Sequence, residues 1–395
     1  MPEDYIIWCG SVLNFRGLSE YRGETPAATQ WSRGLLRGFQ ENGIGVRGFA
    51  PMWDALFPKG RLFPGSASGL EESIPQTTVP YINLPGIRPA SVAWSLHQRL
   101  HRHLASGHRP LAILNYNPYP HYCRAIEPIA RRYPDIPWVN VVLDLDDPMV
   151  DGWVAFKEAT AASRGNVFLS WWGYCHAPGH AKLHLDGGWE TAPAPAPPVA
   201  AAPSAPATSP TARPFAPLSA LPKTFIYAGK FAGYGGIGEI LEAIRGYPRT
   251  DVFFDFYGKG SCEQLSQLAA SDPRVRIRGF VPDAELEEAC RKAYAFLSPR
   301  DLDFQGTRMI FPSKLLFYLK FRKPVLSPLL PGLSPEYEAL LLQPTVSWGA
   351  AIDKALAMTP ADLEAHDARC GAFLETRAWK RQAARLLTFI QELHV

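Results

Sequence analysis

The strongest candidates for functional residues lie in the C-terminal part of the chain. There, basic residues precede a Pro-Ser-Lys sequence. Arg300 and Arg308 share one predicted loop, and Pro312, Ser313 and Lys314 follow at the predicted start of a helix. Proline suits the first helical position, and a lysine in the first turn opposes the helix dipole. An anion would offset that cost, and arginines pair well with diphosphate oxygens. The segment therefore predicts an anion site, with a solvated lysine on an ordinary helix as the alternative.

Two glycine-containing turns between predicted strands and helices could bring backbone amides close to a phosphate. The first spans residues 228–238 and includes Gly229 and Lys230, whose charge adds to that of the amides. The second contains Tyr257 and Gly258. Each turn could also have a purely steric origin and hold no ligand.

The elements that must position these residues alternate between short apolar runs and amphipathic runs. Strands are predicted at residues 5–9, 44–49, 111–114, 139–143, 167–170, 225–228, 252–257, 275–278, 293–298 and 324–327. Helices are predicted at residues 26–42, 91–104, 121–133, 237–245, 262–270, 284–292 and 313–321. This alternation predicts an α/β fold with two Rossmann-like domains, in which ligands bind beyond the carboxyl ends of the strands.

A proline- and alanine-rich stretch at residues 191–222 divides the chain into an N-terminal and a C-terminal half. It contains ten prolines, and its only charged residue is Arg213. Such a composition favours a semi-extended linker over a packed element. We therefore predict domains at residues 1–190 and 223–375, with residues 376–395 forming a helix that packs back toward the N-terminal domain.

Composition excludes several classes of protein. The 395 residues carry a net charge of only +3, so no nucleic-acid partner is expected. The six cysteines have no CxxC spacing, which gives no zinc or redox motif. The sequence shows no signal peptide and no apolar run long enough to span a bilayer. A cytoplasmic location is expected, with peripheral membrane contact left open.

Several segments together resemble the C-terminal half of the large retaining GT-B glycosyltransferase family that includes sucrose and mannosyl transferases. Residues 225–243 resemble its first glycine signature, and residues 276–281 resemble the loop that contacts the base. Residues 311–327 resemble its Phe-Pro-Ser-Lys-Leu…Lys-Pro-Val pattern, and Trp379 matches a tryptophan near the start of the last helix. The resemblance is looser in the N-terminal half.

The resemblance implies transfer of a hexose from a UDP- or GDP-sugar to an acceptor hydroxyl, with retention of configuration and without a metal. The acceptor would be a glycan, a lipid-linked sugar, a protein or a small molecule. It implies catalytic roles for Lys230, Arg308, Lys314 and Asp144. It also implies a donor site in the C-terminal domain made of Gly229, Tyr257, Gly258, Phe280, Val281, Arg300, Gly306, Thr307, Phe311, Pro312 and Ser313. The N-terminal domain would then bind the acceptor.

Some positions depart from the family pattern and keep alternatives open. Met309 and Phe317 stand where the family has two glutamates that handle the donor sugar and the ribose. Lys230 replaces the usual arginine, which keeps the charge but loses bidentate geometry. Asp144 and its neighbours could bind acceptor hydroxyls or form a polar turn. The alternatives are a non-catalytic GT-B protein and, less well supported, a two-domain epimerase.

Overall fold

A computed structural model describes residues 4–10, 26–65, 68–71, 74–143, 161–177, 181–188, 223–231, 236–303, 307 and 311–394. In this part of the chain, strands and helices alternate around two separate sheets. The fold class predicted from the sequence is confirmed. The predicted linker at residues 191–222 lies outside the described residues, so the domain limits stay predictions.

The sheet of the N-terminal half has eight strands in the order β3-β4-β2-β1-β5-β6-β7-β8. Its strands are β1 (Tyr5–Cys9), β2 (Gly45–Pro51), β3 (Ser68–Glu71), β4 (Ile74–Val79), β5 (Ile113–Tyr116), β6 (Trp138–Val142), β7 (Gly165–Phe168) and β8 (Lys182–His184). All neighbours pair in parallel except β3, which runs antiparallel to β4 at the edge. The central strands β1 and β6 are buried along their whole length, as expected when helices cover both faces.

Four described helices flank this sheet: α1 (Pro26–Glu41), α2 (Arg88–Ala105), α3 (Pro120–Arg132) and α4 (Trp171–His176). Helix α2 buries one stripe of apolar residues that includes Leu96 and Leu100, and it packs beside α3. Both helices begin next to a proline, whose fixed φ suits a first turn. Because these helices connect parallel strands, their N-termini lie at the carboxyl edge of the sheet.

The sheet of the C-terminal half has six strands, all paired in parallel, in the order β11-β10-β9-β12-β13-β14. Its strands are β9 (Lys223–Ala228), β10 (Val252–Tyr257), β11 (Val275–Gly279), β12 (Ala295–Leu297), β13 (Val325–Leu326) and β14 (Leu341–Leu342). The helices are α5 (Ile237–Arg245), α6 (Glu263–Ser271), α7 (Asp283–Lys292), α8 (Ser313–Leu319), α9 (Trp348–Leu356), α10 (Pro360–Thr376) and α11 (Trp379–Glu392), with a 3₁₀ turn at Pro335–Leu340.

The last helix, α11, packs along α1 of the N-terminal half. The indole of Trp379 meets Trp31 edge-on, with ring centroids 5.8 Å apart. It also lies against Gly34 of α1 and against Gly188. Burial of this large apolar surface ties the end of the chain to the N-terminal sheet.

A buried ion pair also joins the two halves. Asp186, just after β8, accepts hydrogen bonds from Arg377 at 2.8 and 3.1 Å, and Asp186 is 1% exposed. Arg377 also pairs with Glu336 of the 3₁₀ turn. The Ser334 hydroxyl donates to the same aspartate at 3.2 Å. Removal of one partner would leave a buried charge unpaired, which is costly. The ion pair therefore favours the observed position of Arg377 beside the end of the N-terminal sheet.

Candidate functional site

Three loops that follow neighbouring strands of the C-terminal sheet are joined by backbone hydrogen bonds. Gly229, after β9, donates from its amide to the carbonyl of Tyr257 at 2.8 Å. Gly258, after β10, donates to Gly279 of β11 at 2.8 Å. Phe231 donates to Lys259 at 3.0 Å. The described residues of the two predicted glycine turns therefore lie side by side at the carboxyl edge of the sheet.

Two glycines allow these loops to come this close. Gly258 has a φ of +150°, and a Cβ there would overlap with the carbonyl oxygen of Gly229. A Cβ on Gly229 would in turn overlap with the ammonium of Lys314. Gly258 therefore requires glycine for its backbone conformation and for space, whereas a side chain at Gly229 would displace the ammonium of Lys314.

Lys314 belongs to α8 and extends its ammonium onto the first glycine turn. Its Nζ lies 4.7 Å from the ring centroid of Tyr227 and 3.5 Å from the Tyr227 hydroxyl, to which it donates. Burial, together with the nearby Arg300 guanidinium, lowers the pKa of Lys314 to about 7. The fold thus holds a cation in a place where an added anion would stabilise its charged form.

Two tyrosines that were not predicted as site residues position this lysine and the turn. The Tyr227 hydroxyl donates to the carbonyl of Lys230 at 2.7 Å. The Tyr318 hydroxyl accepts a hydrogen bond from the amide of Ala228 at 2.7 Å. Lys314 and the backbone of Lys230 therefore belong to one hydrogen-bonded cluster, while the side chain of Lys230 is exposed.

Arg300 approaches the same edge from the loop after β12. Its backbone lies against Gly236, the residue with a φ of +67° that precedes α5. Thr307 is buried and donates its hydroxyl to the carbonyl of Asp301 at 2.7 Å, which anchors that loop. Helix α5 has nine residues and begins directly after Gly236. The amides of its first turn therefore face the same region as the loop that carries Arg300.

The predicted base-contacting loop follows β11 and is open to solvent. The Phe280 side chain is 67% exposed, and the Lys259 ammonium lies 3.8 Å from its ring centroid. Val281 is half-buried beside it. Behind this loop, the buried carboxylate of Asp255 accepts hydrogen bonds from Arg276 and Arg278. An exposed aromatic ring here offers a face on which a planar group could stack.

The Pro-Ser-Lys segment differs by one position from its prediction. Helix α8 begins at Ser313, and Pro312 precedes it with a ψ of 80°, outside the helical range. Ser313 is exposed, whereas Pro312 is buried. The Phe311 ring is buried against Tyr337, with centroids 6.3 Å apart, and against Gly187 of the N-terminal half. Its donor-binding role stays a prediction.

One motif lysine is structural. Lys323 is 3% exposed, and its ammonium donates to the carbonyls of Arg291 and Ala293, both at 2.5 Å. These carbonyls lie at the C-terminal end of α7, where a cation is favourable. Burial lowers the pKa of Lys323 to about 8.

Several predicted residues lie outside the described part of the chain, namely Asp144, Gly306, Arg308 and Met309. Phe317 is described, and its ring packs against Phe321, with centroids 5.4 Å apart, and Tyr318. Among the described residues, no group of three or more His, Cys, Asp or Glu could hold a metal ion. Within the same ranges, no helix is long and apolar enough to cross a membrane.

Comparison with solved structures identifies this architecture. The chain superposes on sucrose-phosphate synthase from Thermosynechococcus elongatus with a TM-score of 0.63 and 12% identity, covering 98% of this chain and 99% of that one. The chain has the GT-B fold. Similar agreement is found with the E. coli trehalose-6-phosphate protein bound with UDP-2-fluoro glucose, at a TM-score of 0.63, 11% identity and coverage of 98% and 99%.

The catalytic domain of starch synthase IV from Arabidopsis thaliana, bound to ADP and acarbose, is a third GT-B structure of this kind. It matches with a TM-score of 0.60 and 10% identity, and 99% of each chain is covered. By contrast, the amino-acid sequence matches no protein-family model and no curated protein. At these identities the likeness establishes the fold, and the function has to be argued from the site.

Proposed function

We propose that this GT-B protein is a glycosyltransferase that moves a hexose from a nucleoside-diphosphate sugar to an acceptor hydroxyl, with retention of configuration. The observation that carries the proposal is the half-buried ammonium of Lys314, held against Gly229 at the carboxyl edge of the sheet. A diphosphate placed there would stabilise the charged lysine. Two of the similar GT-B structures were solved with UDP-2-fluoro glucose and with ADP.

In the proposed reaction, the site stabilises the leaving group. As the glycosidic bond breaks, negative charge builds up on the diphosphate, and the electron pair of the bond goes with it. Lys314 would oppose that charge directly, with Lys230, Arg300 and Arg308 around it. The free amides at the start of α5 would add partial positive charge. The acceptor oxygen is the nucleophile, so no protein nucleophile is needed.

The rest of the donor would lie along the three joined loops. We propose that the nucleoside base stacks near Phe280 and Val281 and that Tyr257, Gly258 and the other predicted donor residues line the remaining surface. Asp144 would bind the acceptor hydroxyl, and no metal would take part. A cytoplasmic location belongs to the same proposal.

A transfer assay tests this function. The purified chain is incubated with UDP-, GDP- and ADP-sugars and a panel of glycan, lipid-linked, peptide and small-molecule acceptors, and nucleoside diphosphate release is measured. We expect acceptor-dependent release from one donor, greatly reduced in Lys314→Ala and unchanged in Lys354→Ala, which removes an exposed lysine of α9. NMR of the product reports the anomeric configuration. An inverted product would refute retention, and full activity in Lys314→Ala would refute the site.

A second function is favoured by one observation. Phe317, at the position of a family glutamate, packs in an aromatic cluster with Tyr318 and Phe321 and supplies no carboxylate. A non-catalytic GT-B protein that binds a nucleotide or glycan, or supports a partner glycosyltransferase, would tolerate this change. Lys314-dependent binding of a nucleotide sugar without turnover on any acceptor would favour that second function.

A further inference from the structure

Exposed apolar side chains are concentrated on one part of the N-terminal half. Among the described residues, ten large hydrophobic side chains are exposed, and six of them fall between residues 56 and 94. These six form what we call the apolar patch: Leu56, Phe57, Phe63, Ile82, Ile87 and Trp94. Phe63 and Trp94 are each 67% exposed. Large apolar side chains that are exposed together on one part of a protein can mark a binding surface.

Hydrogen bonds join the segments that carry the apolar patch. The amide of Phe57 donates to the carbonyl of Asn83 at 3.2 Å, and the amide of Asn83 donates to Leu62 at 2.8 Å. The amide of Ile82 donates to the Ser91 hydroxyl of α2 at 3.0 Å. The loop after β2, the loop after β4 and the start of α2 therefore form one surface.

Helix α2 extends this surface in one direction. Ile87, Ser91 and Trp94 are spaced by four and three residues and so share one side of the helix. Gln98 and His101 continue the same side. The distance from Ile87 to His101 is about 21 Å at 1.5 Å per residue.

The far end of this side is basic. An open pocket of 560 Å³ lies between α2 and α3, and it is lined by His97, Gln98, His101, Pro128, Arg131 and Arg132. Arg131 pairs with Glu127 at 2.6 Å, whereas Arg132 stands beside Tyr133. A row of apolar residues that ends in a basic pocket is complementary to a partner that has an apolar interior and an anionic outer layer.

The segments around the apolar patch carry more basic than acidic residues. Residues 55–126 contain one lysine and six arginines against two acidic residues, Glu71 and Glu72. Asp54, at the border, is engaged by the amides of Ala55 and Arg61 at 2.7 and 3.1 Å. Basic residues interspersed with aromatic side chains are typical of surfaces that lie on anionic membranes.

We propose that the N-terminal half docks on an anionic lipid bilayer through this surface. The apolar patch would enter the boundary between headgroups and acyl chains, with α2 parallel to the membrane plane and the basic pocket at the headgroups. The patch follows β2 and β4 at the carboxyl edge of the sheet, where α/β sheets take their ligands. Docking would thus bring the acceptor side of the protein to the membrane surface.

Vesicle flotation with the full chain tests this proposal. Vesicles of phosphatidylcholine with about one third phosphatidylglycerol are compared with vesicles of phosphatidylcholine alone, at low and high salt. We expect binding to the anionic vesicles, weakened by salt because the attraction is screened. Trp94→Ser combined with Phe63→Ser should lower the partition coefficient at least about tenfold. Lys59→Gln and Arg132→Gln should each lower it about fivefold.

Matched controls separate docking from general damage. Val346→Ser and Lys354→Gln remove an exposed apolar side chain and an exposed lysine from the C-terminal half, and both should bind vesicles like the wild type. All variants should keep the thermal unfolding midpoint and any stabilisation by nucleotide sugars, since docking does not depend on the donor site.

Three results would overturn the proposal. They are absence of wild-type binding to anionic vesicles at low salt, equal binding to neutral vesicles, and binding that survives Trp94→Ser with Phe63→Ser. Patch-dependent binding of polyglutamate without vesicle binding would assign the surface to an acidic protein instead and would also overturn it.

Discussion

The lowered pKa of Lys314 makes donor binding depend on pH in a defined direction. Burial and the neighbouring Arg300 place this pKa at about 7 in the free protein, whereas a bound diphosphate favours the ammonium and raises the pKa. Between pH 7 and 9 the free protein therefore loses a proton that the complex keeps. The dissociation constant of a nucleotide sugar should rise by up to about tenfold per pH unit above 7.

Isothermal titration calorimetry measures this coupling directly. At pH 8, above the pKa of Lys314 in the free protein, binding should take up a proton at this group, in part or in full. A nucleotide sugar is the suitable ligand because its phosphates are diesters and do not titrate in this range. Buffers with different ionisation enthalpies give the proton number.

The Lys314→Ala variant is the control for this coupling. It should bind more weakly at pH 7 and show no pH slope from this group. A flat dissociation constant between pH 7 and 9 in the wild type would refute the reasoning, and so would an unchanged slope in the variant.

Lys314 also affects the stability of the folded protein, and this effect changes with pH in the direction opposite to donor binding. The folded-state pKa of Lys314 lies below its ordinary value of 10.5, so the unfolded chain binds more protons between about pH 7 and 10.5. The contribution of Lys314 to the stability of the ligand-free protein therefore increases with pH across that window. Stabilisation by a bound donor should decrease across the same window.

Three further predictions concern single side chains. Lys314→Ala should lower turnover by about 10²–10³ in steady-state kinetics, the effect of removing one preorganised group that stabilises charge; a loss below about threefold would contradict this. Gly258→Ala should lower unfolding stability by about 1–3 kcal/mol because of its positive φ. Gly349→Ala should not, because an added Cβ there would lie 3.8 Å from its nearest neighbours, an ordinary contact distance; equal denaturation curves for the two variants would count against the prediction. Arg377→Ala should cost about 3–5 kcal/mol because it leaves buried Asp186 unpaired, and a wild-type unfolding midpoint would disprove this.

The alternation of strands and helices could be predicted from the sequence because buried parallel strands are short apolar runs. The 252–257 strand and the 237–245 helix agree with the structure at both ends. Strand β4 was missed because its sequence, Ile-Pro-Gln-Thr-Thr-Val, is polar and contains a proline. Its burial comes from pairing with β2, a contact that periodicity within one segment does not reveal.

The sequence predicted which segments form the candidate site, but it did not predict the contacts between their side chains. Lys230, Lys314 and the two glycine turns were predicted, and the structure brings Lys314 together with the described residues of both turns. The supporting hydroxyls of Tyr227 and Tyr318 were missed, because an aromatic residue in an apolar strand or helix gives the same pattern whether its hydroxyl is used or not. Lys323 shows the reverse case, in which a motif lysine binds the end of a helix.

The central claim is that the loops around Gly229 and Lys314 bind a nucleoside-diphosphate sugar, and thermal unfolding with a panel of UDP-, GDP- and ADP-sugars tests it most directly. A donor at 100 times its dissociation constant should stabilise the wild-type protein by about 2.7 kcal/mol. The same ligand should stabilise Lys314→Ala much less and Lys354→Ala fully. Absence of stabilisation by every nucleotide sugar, or equal stabilisation of Lys314→Ala, would contradict the claim.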